Sequence, residues 1–271
     1  MKAIIESIEA IGAAAIAFFR YIGGLTILMW DSILWTVKYK GIRLGIAVQQ
    51  AAILGVNSSS IVIITTAFTG AVISLQLATM AVKYGASRFV GGGVAVAMAR
   101  ELAPMLTAIV VAGRAGSAIT AELGSMKVTE QIDALKAMAT SPIRYLVVPR
   151  IVACAIIIPM LCLFAMIAGV IGGGIVGNLI AGVSYKVYFE SISDIGMVGM
   201  KDVYKGLFKS FIFAIEIALI ACYQGLKTEG GAAGVGKSTT GSVVYSMLIV
   251  FITNFFLSAI LFPPEGSGIW Q

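Results

Sequence analysis

The sequence predicts an all-α polytopic membrane protein, and three observations carry that reading. The 271-residue chain is 59% hydrophobic and only 12% charged. Its mean hydropathy is +0.99. Solid apolar runs at 59–81, 151–179, 210–223 and 243–262 approach or exceed the roughly 20 residues that cross a hydrocarbon core. Backbone groups in lipid must be satisfied within their own segment, so such runs are helices unless the chain closes a barrel. A barrel strand would alternate polar and apolar residues at period two, and these runs do not.

In chain order, residues 1–44 read as an interfacial helix and an elbow. Ile4, Ile8, Ile11, Ala15 and Phe18 recur at helical spacing, with Glu6 and Glu9 off the stripe, as in a helix lying in the membrane interface. Those two acids do not suit the apolar core of a signal peptide. Gly23 and Gly24 are expected to interrupt the helix. Trp30, Trp35 and Tyr39 supply interface anchors, and Lys38, Lys40 and Arg43 a basic cluster.

The five-span bundle occupies 45–262, and the whole chain reads as one domain, 1–271. The first span covers 45–81, with a break or polar face at 57–60. The second covers 89–121, longer than a bilayer requires, so it tilts, kinks or projects. Pro104 is the expected kink, since it lacks a backbone donor. A polar amphipathic helix is expected over 122–138, carrying Lys127, Glu130, Asp133 and Lys136 beside a stripe of Ile132, Leu135 and Met138. Pro142 closes it. The third span covers 145–179, the fourth 203–223 and the fifth 242–262. A polar connector at 182–202 and a Gly-rich loop at 224–240 join the last three.

Basic residues decide the orientation. Lys2, Lys38, Lys40, Arg43, Lys127, Lys136, Arg144, Arg150, Lys227 and Lys237 fall on one side. Lys83, Arg88, Lys186, Lys201 and Lys205 fall on the other. The positive-inside rule then puts the N-terminus, 122–144 and 224–240 in the cytoplasm and the C-terminus across the membrane.

Composition also excludes classes. The chain has no histidine, the commonest general base and metal ligand. Cys154, Cys162 and Cys222 all sit in apolar runs without CxxC spacing, so neither a disulfide framework nor a metal site is suggested. A net charge of +6 is spent on loops and gives no nucleic-acid signal. No Ser or Cys is paired with a base, which argues against a lipid-cleaving enzyme. Residues 231–238, GAAGVGKS, match the phosphate-binding pattern G-x4-G-K-[ST]. That loop works between a strand and a soluble helix, whereas here membrane helices flank it, so it reads as a loop with Ser238, Thr239 or Thr240 as helix cap.

The residues that draw attention are intramembrane charges, which are costly and therefore functional hypotheses by default. Arg100 and Glu101 are adjacent, and neighbours in a helix do not face each other, so each needs a partner elsewhere. Arg114 has the same need, and Glu216 is its plausible partner. Two readings stay open: structural ion pairs between helices, or the polar lining of a substrate cavity. A secondary transporter using these charges for ion coupling is the competing function, although 45–140 and 145–262 show no internal repeat.

The blocks RELAP at 100–104, AGRAGSA at 112–118 and AELGSMKVTEQ at 121–131 can be placed together. With Pro142, Pro149, Arg150, Lys209, Ser210 and GVGKSTT at 234–240, they resemble the MlaE/YrbE family of ABC-transporter permeases, which work with MCE proteins in lipid transport. The likeness spans roughly 50–262. Ala103 stands where the family usually has Gly, and Glu216 is not part of the motif.

The resemblance implies a homodimeric permease in the inner membrane. It binds no cofactor itself, because a separate cytoplasmic ATPase subunit binds the ATP. A periplasmic ring of MCE subunits lies above, and in some systems a STAS-domain protein binds the ATPase. The 122–138 segment becomes a coupling helix, with Glu122, Met126, Lys127, Thr129, Glu130, Asp133 and Leu135 facing the ATPase. The substrate is phospholipid, in a cavity lined by the first, second and fifth spans. Glu101 would face it with Arg100 nearby, and Gln76, Leu77 and Met80 would add to its wall.

Overall fold

The computed structural model describes residues 2–37, 44–193 and 198–263, of which 2–11, 14, 15, 17, 18, 37 and 44 are described as backbone only. All regular structure among the described residues is helical. Among the described residues, five helices are long and apolar enough to cross a membrane: Gly45–Lys83, Ser87–Val128, Ile143–Leu179, Met200–Leu226 and Gly231–Leu261.

Helix α1, Lys2–Val37, runs unbroken through Gly23 and Gly24. The expected interruption is absent, because Gly24 has a packing role instead: a Cβ there would collide with the Tyr223 ring. Tyr21 packs edge-on against Tyr223, with ring centroids 5.2 Å apart. The side chains of the Ile4–Phe18 stripe, and Lys38, Tyr39, Lys40 and Arg43, lie outside the described residues.

Helix α2, Leu44–Lys83, passes through Asn57 and Ser58 without a break. It packs along α7, Val148–Leu179. The contact is backbone to backbone: a Cβ on Gly70 would strike the Gly169 carbonyl, and one on Gly172 the Ala67 carbonyl. Lipid tails give apolar helices no reason to associate, so small residues that permit such approach supply the packing energy.

From Val90 onward the second span is one rod built from five pieces. Helices α3 (Val90–Ala97), α4 (Ala103–Val111) and α5 (Ser117–Val128) are joined by π-helical turns at Met98–Leu102 and Ala112–Gly116. Pro104 follows the first of these turns, and the helix continues through it. A π turn holds one extra residue and is one way a helix takes in a residue that cannot donate.

The single helix expected over 122–138 is two. Helix α5 carries the rod to Val128, and α6 covers Gln131–Ala137. Glu130 between them adopts φ 61°, the left-handed geometry that ends a helix and favours glycine. The expected apolar stripe faces inward: Ile132 is buried and Leu135 half-buried, leaving only Met138 exposed.

The 182–202 connector contains an unforeseen helix, α8, Tyr185–Ser193. Its fully buried Tyr188 donates to the Val170 carbonyl at 3.1 Å. Helix α9 is Met200–Leu226 and α10 is Gly231–Leu261. The expected Gly-rich loop is thus mostly helix. Only 227–230 turn, and the P-loop match forms the first turns of α10, with Ser238, Thr239 and Thr240 inside it rather than capping it.

Candidate functional site: a charge cluster where three spans meet

Gly206 creates the site. A Cβ there would meet the Ala99 carbonyl, so α9 lies directly against the Met98–Leu102 turn. Asp202, Gly206 and Lys209 share one helical face by their spacing of four and three. That contact therefore delivers a carboxylate and an ammonium to Arg100 and Glu101. Asp202 Oδ1 accepts from Arg100 Nε at 2.9 Å. Its Oδ2 accepts from the Gly199 backbone amide at 3.0 Å, holding the start of α9.

Lys209 is the centre. Its side chain is fully buried. Its Nζ donates to Glu101 Oε2 at 3.0 Å, to Ser258 Oγ at 2.9 Å and to the Arg100 carbonyl at 3.0 Å. An ammonium has three donors, and all three are used. The third acceptor follows from sequence: Arg100 lies four residues before Pro104, which has no N–H to give it. Helix α10 completes the shell. Asn254 Nδ2 donates to Glu101 Oε2 at 3.0 Å, and the Phe262 ring lies 5.0–5.7 Å from Lys205, Arg100 and Lys209.

The buried cation holds a carboxylate that reaches out. The Glu101 side chain is 40% exposed, with Oε1 unpartnered among the described residues. Arg100, Lys205 and Lys209 against Glu101 and Asp202 leave one net positive charge. The cluster can therefore hold and orient an anionic or hydrogen-bonding group.

Other expected residues fall elsewhere. Arg114 is exposed and does not pair with Glu216. Glu216 instead accepts from Thr253 Oγ1 at 2.8 Å, because its face of α9 turns toward α10. Gln76, Leu77 and Met80 point outward from α2 and make no polar contact with the cluster among the described residues. Asp202, Lys209, Asn254 and Ser258 join the site only in the structure. Charges at 202, 205 and 209, and polar residues at 254 and 258, carry helical spacing that could have marked them.

At the other end of the same rod, Glu122 pairs with Arg150 Nη2 at 2.7 Å, and Arg150 Nη1 donates to the Leu146 carbonyl at 2.7 Å. Lys127 and Lys136 both bind Asp133, at 2.8 and 2.9 Å. These two bonds hold the exposed Asp133 carboxyl well below its ordinary range, at about 2. Gln131 Nε2 donates to Thr129 Oγ1 at 3.1 Å. Met126 is half-buried, and Thr129 and Glu130 are exposed at the turn.

A five-span helical bundle with a charge cluster shared by three spans, and a structured turn projecting from its longest helix, has the architecture of a transporter's membrane subunit. Residues 47–260 match the model of the MlaE permease family, so the chain belongs to that family and is an ABC transporter permease. It is 44% identical over 220 residues to a probable ABC transporter permease protein of Synechocystis, covering 81% of this chain and 82% of the relative. It is 36% identical to one of Rickettsia typhi, covering 93% and 96%. It is also 36% identical over 82% of its length to the Arabidopsis thaliana chloroplastic protein trigalactosyldiacylglycerol 1, spanning 63% of that protein. An ABC permease is a transport subunit that works in a membrane with an ATPase partner. That membership sets aside the ion-coupled carrier.

Proposed function

We propose that this permease moves phospholipid between the inner membrane and a periplasmic MCE protein, driven by a cytoplasmic ATPase that binds the ATP. The observation that carries the reading is Glu101: a carboxylate fixed by a fully buried lysine yet 40% exposed, inside a cluster of net positive charge. A lipid headgroup offers the phosphate and hydroxyls that such a cluster can hold. The Arabidopsis relative's name, built on a galactosyl diacylglycerol, supports a diacylglycerol lipid as the class.

In this reading the chain works as a homodimer, with the N-terminus cytoplasmic and the C-terminus periplasmic. Exposed Phe251, Phe255 and Phe256 on α10 and Phe68 and Met80 on α2 face lipid, substrate or the second copy. Gln76 and Leu77 line the same outward face. Glu122, Met126, Lys127, Thr129, Glu130, Asp133 and Leu135 form the element on which the ATPase presses. Because Glu122, Met126 and Lys127 belong to the same rod as Arg100 and Glu101, a push at one end is carried to the other. A STAS-domain subunit on the ATPase is compatible with this layout.

The test is co-purification with the candidate ATPase in lipid nanodiscs. Expected are ATP hydrolysis absent from the permease alone, hydrolysis in the complex that responds to added phospholipid, and photo-crosslinking of lipid from position 101. Lipid-insensitive hydrolysis together with no crosslink would falsify the proposal.

A further inference from the structure

We infer a second lipid site, separate from the Glu101 cluster: a groove beneath α1 that takes one anionic phospholipid from the leaflet on the side of the α5–α6 turn. Its head end is a polar cavity of about 480 Å³ lined by Trp35, Lys136, Thr140, Ser141, Arg144 and Tyr145. Its tail end is a separate, almost wholly apolar cavity of about 250 Å³ that begins three residues further along the same helix. The wall descends α7 from Val148 through Ile151 and Val152 to Ala155, about 10 Å of helix. Phe211, Ile215 and Leu219 of α9 form the opposite wall, and Met29, Ile33 and Thr36 of α1 roof it.

The chemistry of the two compartments selects the occupant. Arg144 lies over the Trp35 ring at 5.6 Å and has no carboxylate partner among the described residues. Lys136 shares Asp133 with Lys127, so Arg144 carries most of the free positive charge. A cation steadied on an aromatic face, beside two hydroxyls, suits a phosphate monoanion. Trp and Tyr flanking the cavity are the residues that settle at headgroup level. Directly below, an apolar slot with exposed Met29, Ile33 and Phe211 at its edges offers room for acyl chains. Free phosphate would use the head cavity alone. A phospholipid uses both.

The site also sits where occupancy would matter. Its head residues include Lys136 of α6 and the segment joining α6 to the third span, so a bound lipid would brace the α5–α6 turn from behind. This extension rests on the proposed coupling role, while the binding site itself does not.

Native mass spectrometry of the full chain in detergent tests the site, using dioleoyl phosphatidylglycerol against dioleoyl phosphatidylcholine. The expected result is about tenfold preferential retention of the anionic lipid, the scale of one to two cations at a charged membrane surface. Arg144→Ala with Lys136→Ala should abolish the preference. Ala155→Phe should weaken retention of both lipids by filling the slot. Lys83→Ala, an exposed cation at the opposite end of the bundle, should leave the preference intact. Survival of the preference in the Arg144 variant would assign the lipid to the Glu101 cluster and overturn the inference. Displacement of the lipid by millimolar inorganic phosphate, with no effect of Ala155→Phe, would reduce the site to an anion pocket and overturn it too. So would loss of ATPase association in the Arg144 variant with unchanged lipid retention, since the basic surface would then serve a protein.

Discussion

The two ends of the second span are built on one plan with different completeness. At each end the rod presents a glutamate, and at each end a neighbouring span holds it with a buried cation. Glu101 is held by Lys209, whose side chain is 0% exposed, and Glu122 by Arg150, whose side chain is 5% exposed. Both carboxylates reach the surface, 40% and 51% exposed. The difference lies in what the cation has left over. Lys209 uses all three donors on protein acceptors, whereas Arg150 Nε is buried without a partner among the described residues. At the Glu101 end the cation is fully satisfied, and the buried atom left over among the described residues is an acceptor, Asn254 Oδ1. The Glu122 end keeps one unsatisfied donor, so less is lost when it rearranges. A rod that is fixed at one end and looser at the other suits a part that is driven from the loose end.

Mutation at the fixed end should have the largest effect. Glu101→Ala leaves an ammonium buried with only neutral acceptors, and removing one partner of a buried pair costs about 3–5 kcal/mol. Thermal unfolding in detergent should show it. Glu101→Gln keeps an acceptor and should recover most of that stability while still reducing lipid crosslinking at the cluster. If the glutamine variant is fully active in transport, the cluster is purely structural and the comparison fails.

Glu122→Ala should cost less, about 1–3 kcal/mol, the usual penalty for a buried donor left unpaired. Arg150 retains the Leu146 carbonyl, and Glu122 was already half in solvent. An equal or larger loss than at Glu101 would reverse the assignment of which end is fixed. Gly206→Val should cost a similar 1–3 kcal/mol by overpacking against the Ala99 carbonyl. It should also separate Arg100 from Asp202, readable as a lowered unfolding temperature and loss of lipid crosslinking together.

Glu130→Lys should leave stability within about 0.5 kcal/mol, as for exposed positions generally, while reducing ATPase co-purification. Glu130→Gly is the control, because it removes the charge and keeps the left-handed geometry. Unchanged co-purification in both would remove Glu130 from the docking face.

The smallest effect is with pH. The Asp133 carboxyl is lowered to about 2 by Lys127 and Lys136, so its folded value lies below its unfolded one. Its contribution is present above pH 4 and is lost as pH falls from about 4 toward 2. The amide protection factor across α6, with exchange corrected for its intrinsic pH dependence, should fall in that window and stay flat from pH 5 to 8.

Apolar run length made the five spans legible in the sequence, since in lipid a long apolar run has almost no alternative to helix. Boundaries read less well. The 231–240 stretch looks like a loop because glycines and hydroxyl residues dominate it, yet Thr239 and Thr240 bond back to the Val235 and Gly236 carbonyls within the helix. Helix α8 was hidden because a short amphipathic helix between polar residues resembles a connector. In the site, Arg100 and Glu101 stood out as charges inside an apolar run, but their partners did not. Which of Asp202, Lys205, Lys209 or Glu216 would answer depends on the rotation of α9 against the second span. That rotation is set by a glycine contact with no local signature. The Arg114–Glu216 pairing fails for the same reason, since that rotation turns Glu216 toward Thr253 on α10.

Pro104 gives the bundle a detent. By withholding a backbone donor it leaves the Arg100 carbonyl open to Lys209, a side chain from another span. The same ammonium also grips Glu101 on the second span and Ser258 on the fifth. A slide of the fourth span by one helical turn, about 5.4 Å, would have to break all three grips at once. Small tilts would break none. Motion at this junction is therefore expected as discrete clicks between seated positions rather than a graded shear, and the spacing of those clicks is fixed by the helix pitch.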